Sequence, residues 1–342
     1  MRIINENDVK NLAIGGTILG GGGGGSRHMG LKDGLSALSK NPIKLIDIEE
    51  LADDDLVICA SMVGAPSSKE SYVDEKDYAY LIEEFNKYSK DEIKAIFTNE
   101  NGGGSSFNGF ILSSLTNIPL ISTIANGRAH PTGVMGSLNL HKIKDYKSIQ
   151  VYAGGNPELG KNVRGIVESS INNSSKTIRE AAVIAGGLVA VLRNPVKASY
   201  LKENGAKKAL EFAMDLGKTF NQSKEPVREA CEFLGGEIIG EGKVEDFSLT
   251  MEGGFDVGKF KINDLNLTFW NEYMTLEKDG KEIYKFPDLI MTFDKNTSMP
   301  ITSAEIKENM EVIVIGVKKE KLLLGSPMFE KDLLDQIDSV IK

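Results

Sequence analysis

LVICASMVGAPSS (residues 56–68), AIFTNENGGGS (95–105) and LISTIANGRAHP (120–131) share one plan: a short apolar run, then a loop rich in Gly, Asn, Ser or Pro. Apolar runs of this length bounded by turn residues read as strands buried on both faces of a sheet. The segments between them have helical spacing. Tyr80, Leu81, Phe85 and Tyr88 share one face of the first, and Phe107, Phe110, Ile111 and Leu115 follow a capping Ser105 in the second. Strands alternating with such helices predict βαβ units and a mainly parallel sheet. Parallel strands carry their C-terminal loops to one edge, where open α/β sheets bind ligands. The three loops are therefore the expected functional site.

Working outward, Val9, Leu12, Ala13 and Leu19 predict a helix capped by Asp8 and ended by the glycines at 20–25. Leu31, Leu35 and Leu38 predict a second helix that stops before Asn41-Pro42. IKLIDI (43–48) adds a strand, and IQVYA (149–153) closes the sheet. Residues 161–234 read as helical, including TIREAAVIAGGLVAVLRN (177–194) and NGAKKALEFAMDLGKTF (204–220). From Gly235 onward, short alternating runs, with Lys278-Asp279-Gly280 as a hairpin turn, predict an antiparallel β domain closed by a helix over 330–341. The expected architecture is α/β: an N-terminal α/β domain (1–165), then a helical middle segment plus a mostly antiparallel C-terminal β domain (166–342).

Composition narrows the partners. The 342 residues are 41% hydrophobic and 26% charged, and the longest apolar stretches, such as AAVIAGGLVAVL (181–192), fall short of the roughly 20 residues that span a bilayer. The net charge of −9, with no basic run, argues against nucleic acid and acidic membrane surfaces as partners. Cys59 and Cys231 lie far apart and fit two free thiols in a reducing compartment. The segment MRIINENDVKNL has no basic region followed by an apolar one, so the expected location is the cytoplasm. Thirty-six glycines are about one residue in ten, against a usual share of about 7%.

Glu100 stands between two asparagines and before Gly102, Gly103 and Gly104, where free amides at a helix N-terminus bind an anion or a polarised carbonyl. It is the candidate general acid or base; the structural alternative is a carboxylate that caps the helix or pairs with a cation. Arg128 and His130 bring a fixed cation and a group titrating near neutrality into one loop and join Glu100 as catalytic candidates. A histidine bonded to a backbone carbonyl is the alternative for His130. The glycine run has no Gly-Lys-Ser/Thr ending and follows a helix instead of a strand, so neither nucleotide fingerprint fits and no nucleotide is expected. It reads as a linker or, preferably, as a tight loop in which Gly22, Gly23, Gly24 and Gly25 bring backbone amides and His28 to a ligand. Gly64, Asn101, Gly102, Gly103 and Asn126 complete the expected ligand-binding set. A divalent metal such as zinc is left open, with His28, Glu100 and His130 as candidate ligands and His141 a further one, although no metal-ligand spacing supports it. No Gly-x-Ser-x-Gly elbow points to a serine hydrolase.

The combination of ILGGGGGG (18–25), SMVGAP (61–66), NENGGG (99–104), NGRAHP (126–131), EGGF (252–255), FWNEYMTLEKDG (269–280) and FPDLIMTFD (286–294) resembles the S-methyl thiohydantoin desulfurase domain family. The motifs run in order over nearly the whole chain. The resemblance implies an α/β N-terminal domain, a largely β C-terminal domain, and hydrolytic release of methanethiol from an S-methylated thiohydantoin. In such a reaction Glu100 is the candidate base for water, while Arg128 and the amides of Gly102–Gly104 are candidates to hold developing negative charge. The expected function is an intracellular hydrolase acting on a small cyclic amide or thio-amide. Members of the family are often encoded beside or fused to hydantoinase/oxoprolinase-type enzymes, so the alternative is a non-catalytic, small-molecule-binding partner of such an enzyme; a homo-oligomer is left open. Many relatives have Asp-Pro where this chain has Arg27-His28, and an aromatic residue in place of His130. Both departures add histidine near the expected site.

Overall fold

The computed structural model describes residues 1–64, 68 and 70–341. Ala65, Pro66 and Ser67, in the first of the three loops, lie outside the described residues. The chain begins with β1 (Arg2–Ile3), α1 (Glu6–Gly20), α2 (Arg27–Lys40), β2 (Lys44–Ile46), β3 (Leu56–Gly64), α3 (Glu75–Tyr88), β4 (Ile93–Thr98), α4 (Phe110–Thr116) and β5 (Leu120–Ile121). Asn5, not Asp8, caps α1: its side chain accepts from the Asp8 amide while Asp8 reaches back to the Asn5 amide, a reciprocal capping box. Strands β2, β5, β4 and β3 pair in parallel in that order. Their side chains alternate between two cores. Val57, Cys59, Ala95 and Phe97 join one with Ala198 and Leu201, while Ile58, Ala60 and Ile96 join the other with Leu12, Ile18 and Phe110. Burial on both faces is why these strands read as unbroken apolar runs.

Next come β6 (Ser148–Gly154), β7 (Val163–Ser169), α5 (Ile171–Ile184) and β8 (Leu188–Lys197). β8 inserts antiparallel between β3 and β6, and β7 pairs outside β6. Among the described residues the first sheet has eight strands in the order β1-β2-β5-β4-β3-β8-β6-β7. The α/β class holds, with parallel order confined to the β2–β3 half. Two expectations change: β6 lies inside the sheet instead of closing it, and the helical reading of 161–234 gives way to strands at β7 and β8. In TIREAAVIAGGLVAVLRN the helix stops at Ile184, the chain turns at Gly186-Gly187, and the β-branched remainder becomes β8.

α6 (Ala198–Asn204), α7 (Ala209–Gln222) and α8 (Pro226–Phe233) follow, with α7 packed along α1 through its buried Ala209, Ala213, Leu216 and Phe220 face. The remaining strands are β9 (Glu237–Glu252), β10 (Phe255–Ile262), β11 (Leu265–Trp270), β12 (Glu272–Lys278), β13 (Lys281–Lys285), β14 (Leu289–Asp294), β15 (Pro300–Ile301) and β16 (Glu311–Val317). They form a second sheet, antiparallel at every pairing among the described residues, in the order β13-β12-β11-β10-β9-β16-β14-β15. The expected turn at 278–280 joins β12 to β13. The expected final helix is instead two short turns, Lys331–Leu334 and Ile337–Val340. Among the described residues no helix is long and apolar enough to cross a membrane.

The two sheets meet at the glycine run. Gly21 O accepts from the Tyr273 amide at 2.8 Å and Gly22 O from the Ser303 amide at 2.8 Å. These bonds bring the corner between β11 and β12 over the C-terminal edge of the parallel strands.

Candidate active site

The loops after β4 and β5 run side by side because the parallel ladder continues past the strands. The Ala125 amide donates to Thr98 O and the Asn126 amide to Asn99 O, each at 3.0 Å, and Glu100 bridges Asn126 in parallel. On the other side, Gly24 O accepts from the Gly104 and Ser105 amides at 2.9 Å. Gly24 has φ +75°, and a Cβ there would stand 2.5 Å from Gly102 Cα, so the two glycine-rich loops touch backbone to backbone. Between them lies a cleft of about 130 Å³, lined by Glu100 and His130 together with Arg193, Arg179 and Glu272. A cavity of about 150 Å³ accommodates a benzene-sized ring, so the space matches a single small ring.

Glu100 and His130 are buried and face one another. His130 Nε2 lies 3.1 Å from Glu100 Oε2, and the His130 amide donates to the same oxygen at 3.3 Å. His130 Nδ1 lies 3.0 Å from Thr132 O, an acceptor, which assigns the ring proton to Nδ1 and leaves Nε2 with a lone pair. Burial drives the His130 pKa down to about 3, so the ring is neutral at ordinary pH. Burial raises Glu100 to about 7, although the His130 amide and Arg193 pull the other way. Near neutrality Glu100 is therefore poised between carboxylate and acid, the condition for proton transfer.

The arginines divide. Arg128 Nε donates to Ala129 O at 3.2 Å, its Nη1 donates to Pro287 O at 3.0 Å and Asp288 O at 2.5 Å, and its guanidinium lies 4.5 Å over the Phe286 ring. It ties the third loop to the C-terminal sheet and does not line the cleft. Arg179, from α5, donates to Gly64 O, Pro131 O and Gly254 O and stacks 4.0 Å over Phe255. Arg193, from β8, lines the cleft, its Nε lacking a hydrogen-bond partner among the described residues. Its charge acts on both Glu100 and His130. Glu272, at the start of β12, is buried, lines the same cleft and has an Oε2 without a partner among the described residues. Burial first, and the Glu100 charge second, hold its pKa well above the usual carboxylate range.

Of the expected set, Glu100, His130, Gly24, Gly25 and Gly64 line the cleft. Gly22 and Gly23 are buried at its back, where Gly23 packs against the Glu272 carboxylate. Asn101 is turned inward, donating to Gly127 O and Ala209 O, and Asn126 accepts from the Gly325 amide. Gly102 and Gly103 pack beneath the glycine run. His28 is exposed on α2 and His141 sits in a separate turn over 140–142, so neither joins Glu100 and His130. Among the described residues no three His, Cys, Asp or Glu side chains converge as metal ligands; His130 places Nδ1 on a carbonyl, and His28 stands apart from Glu100 and His130. Cys59 is core, its thiol pushed up to about 11 by burial. Sequence reasoning missed Arg193, hidden in a segment read as helix, and Glu272, whose signal was a carboxylate set inside the apolar run LTFWNEYMTL (267–276).

A mixed α/β protein of two sheets with a one-ring cleft at the strand ends is the class this geometry defines. Family models for the S-Me-THD-like N-terminal domain and the S-Me-THD-like C-terminal domain match residues 7–157 and 169–328. The chain thus belongs to the S-methyl thiohydantoin desulfurase domain family, whose name points to a thiohydantoin-related role. Its fold is shared by the crystal structure of a protein from Chromobacterium violaceum, 15% identical, with a TM-score of 0.70 over 99% of this chain and 96% of that one. A search of curated proteins finds no match.

Proposed function

We propose that the protein is a hydrolase acting on a small five-membered cyclic amide or thio-amide, with an S-methylated thiohydantoin as the leading substrate. The observation that carries this reading is Glu100, buried in a one-ring cleft, with its pKa raised to about 7 and its carboxylate 3.1 Å from the neutral His130 ring. As carboxylate, Glu100 takes a proton from water while the water oxygen bonds the ring carbon that carries sulfur. The electron pair of the C=N bond moves onto the ring nitrogen, where Arg193 supplies positive charge. Collapse forms the carbonyl and breaks the C–S bond, whose electron pair goes to sulfur; the hydroxyl proton and the one held by Glu100 supply the net two protons that the ring nitrogen and sulfur take up, giving a hydantoin and methanethiol. His130 positions Glu100, holding one oxygen through its amide while its own ring stays neutral.

The purified protein is expected to release methanethiol from S-methyl thiohydantoin, followed with a thiol reagent. The rate should fall as pH drops through about 7, because protonation removes the base. Glu100→Gln is expected to lower kcat about 10³-fold, within the range of a positioned base. A folded Glu100→Gln protein with the unmutated rate would remove Glu100 from the reaction. Wild-type protein that releases no thiol but binds a hydantoinase-type enzyme would favour a role as a binding partner.

A further inference from the structure

A second carboxyl stands in the cleft opposite Glu100. Glu272 comes from the C-terminal sheet, at the corner that the Tyr273–Gly21 hydrogen bond pins against the glycine run. It is 2% exposed, its Oε2 has no hydrogen-bond partner among the described residues, and it lines the ligand cleft. Gly23 makes room for it: any side chain there would collide with the carboxylate. A buried, unpartnered carboxyl oxygen is costly unless something arrives to use it. The charged groups around Glu272 are Glu100, Arg128 and Arg179. Arg128 Nη1 and both Arg179 Nη atoms are committed to backbone carbonyls, and neither arginine hydrogen-bonds Glu272 Oε2. Two buried carboxyls lining one cleft do not both ionise easily, so one holds a proton while the other is free to accept one.

We propose that Glu272 is the acid that protonates the departing sulfur while Glu100 activates the water, so that the site is a carboxyl pair shared between the two domains. This assignment rests on the hydrolase reading above. As the C–S bond breaks, its electron pair goes to sulfur and the Glu272 proton follows, giving methanethiol. The second water proton leaves oxygen as the carbonyl forms. That proton and the one on Glu100 pass to the ring nitrogen and to Glu272, so both carboxyls end as they began. The division of labour also accounts for the burial of Glu272 beside Gly23, since an acid must retain its proton until the leaving group needs it.

The test varies the leaving group. Methanethiol is a weak acid and its thiolate leaves poorly without a proton, whereas trifluoroethanethiol is a much stronger acid. Glu272→Gln should slow release from the S-methyl substrate about 100-fold, yet slow release from the S-trifluoroethyl analogue no more than about threefold. If Glu272 is the acid, the wild-type rate should also fall at high pH as Glu272 loses its proton; Glu272→Gln should abolish that fall, and Glu272→Asp, which restores a carboxyl, should bring it back. Binding of the hydantoin product, measured on each variant, verifies that the cleft is intact. Equal slowing on both substrates with an unchanged pH profile would overturn the role of Glu272 and leave the hydrolase reading standing. No thiol release by wild-type protein from either substrate would overturn both.

Discussion

Arg128 and Arg193 are 0% and 2% exposed, yet the molecule uses them in opposite ways. Arg128 lies in the seam between the third loop and the C-terminal sheet, where three carbonyls and an aromatic face engage its Nε, Nη1 and guanidinium plane, and only Nη2 is left without a hydrogen-bond partner among the described residues. Arg193 lies in the cleft with Nε unmatched among the described residues, beside a carboxyl whose pKa burial has raised. The seam arginine ties two stretches of backbone together, whereas the cleft arginine faces the space a ligand would enter. A buried cation short of partners is expensive, and of the two only Arg193 is placed where a substrate could supply one.

The largest effect should separate these two residues. Arg128→Met strips donors from the Ala129, Pro287 and Asp288 carbonyls and is expected to lower stability by about 3–5 kcal/mol, because buried acceptors lose their partners. Arg193→Met is expected to leave stability unchanged or slightly raised while lowering kcat/KM about 100-fold, the scale of losing one group that stabilises developing charge. Urea unfolding and steady-state kinetics on both variants check the contrast. If Arg193→Met unfolds the protein and Arg128→Met spares it, the roles are reversed.

The next effect lies inside the cleft. Glu100 has a folded pKa of about 7, above its unfolded value of 4.5, so the protonated form is the one the fold favours. Its contribution is fully present below pH 4.5 and is lost as pH rises through about 7, amounting to up to about 3 kcal/mol. His130 runs the other way: its depressed pKa contributes stability above 6.5 that is lost as pH falls toward about 3. Comparing wild type with Glu100→Gln cancels the His130 trend. The stability of Glu100→Gln relative to wild type should rise between pH 5 and 8, and a flat difference would place the Glu100 proton elsewhere.

Much of this arrangement was legible in the sequence, for a topological reason. Runs buried on both faces announce the parallel strands, and parallel strands must deliver Glu100 and His130 to one edge whatever the details. Other features depend on contacts between distant segments. Arg128 sits in a loop that reads as functional, and only the backbone of 287–288, far along the chain, turns it into a tie. Arg193 was lost because a helix and a strand of similar apolar content run together across Gly186-Gly187, and periodicity alone does not separate them. Glu272 belongs to a β-rich motif whose position over the cleft follows from the docking of two sheets, which no local pattern encodes. His28 misled because proximity to the glycine run in sequence placed it near the site, while α2 points it to solvent.

The smallest effect compares glycines at the seam with glycines in an ordinary hairpin. Gly253 has φ +57°, and a Cβ there would meet nothing closer than Phe255 Cδ2 at 4.0 Å. Gly253→Ala therefore pays only for a left-handed backbone, about 1 kcal/mol. Gly24 combines φ +75° with a Cβ position 2.5 Å from Gly102 Cα, so Gly24→Ala must also push two backbones apart. Its expected loss is about 2–3 kcal/mol, and the displaced Ser105 and Glu100 loop should weaken binding of hydantoin by more than tenfold. Gly253→Ala should bind as wild type. Similar losses from both variants in thermal unfolding and calorimetry would mean that the glycine run is a tether whose backbone contacts do not hold the cleft in shape, because a tether tolerates one extra methyl as readily as a hairpin does.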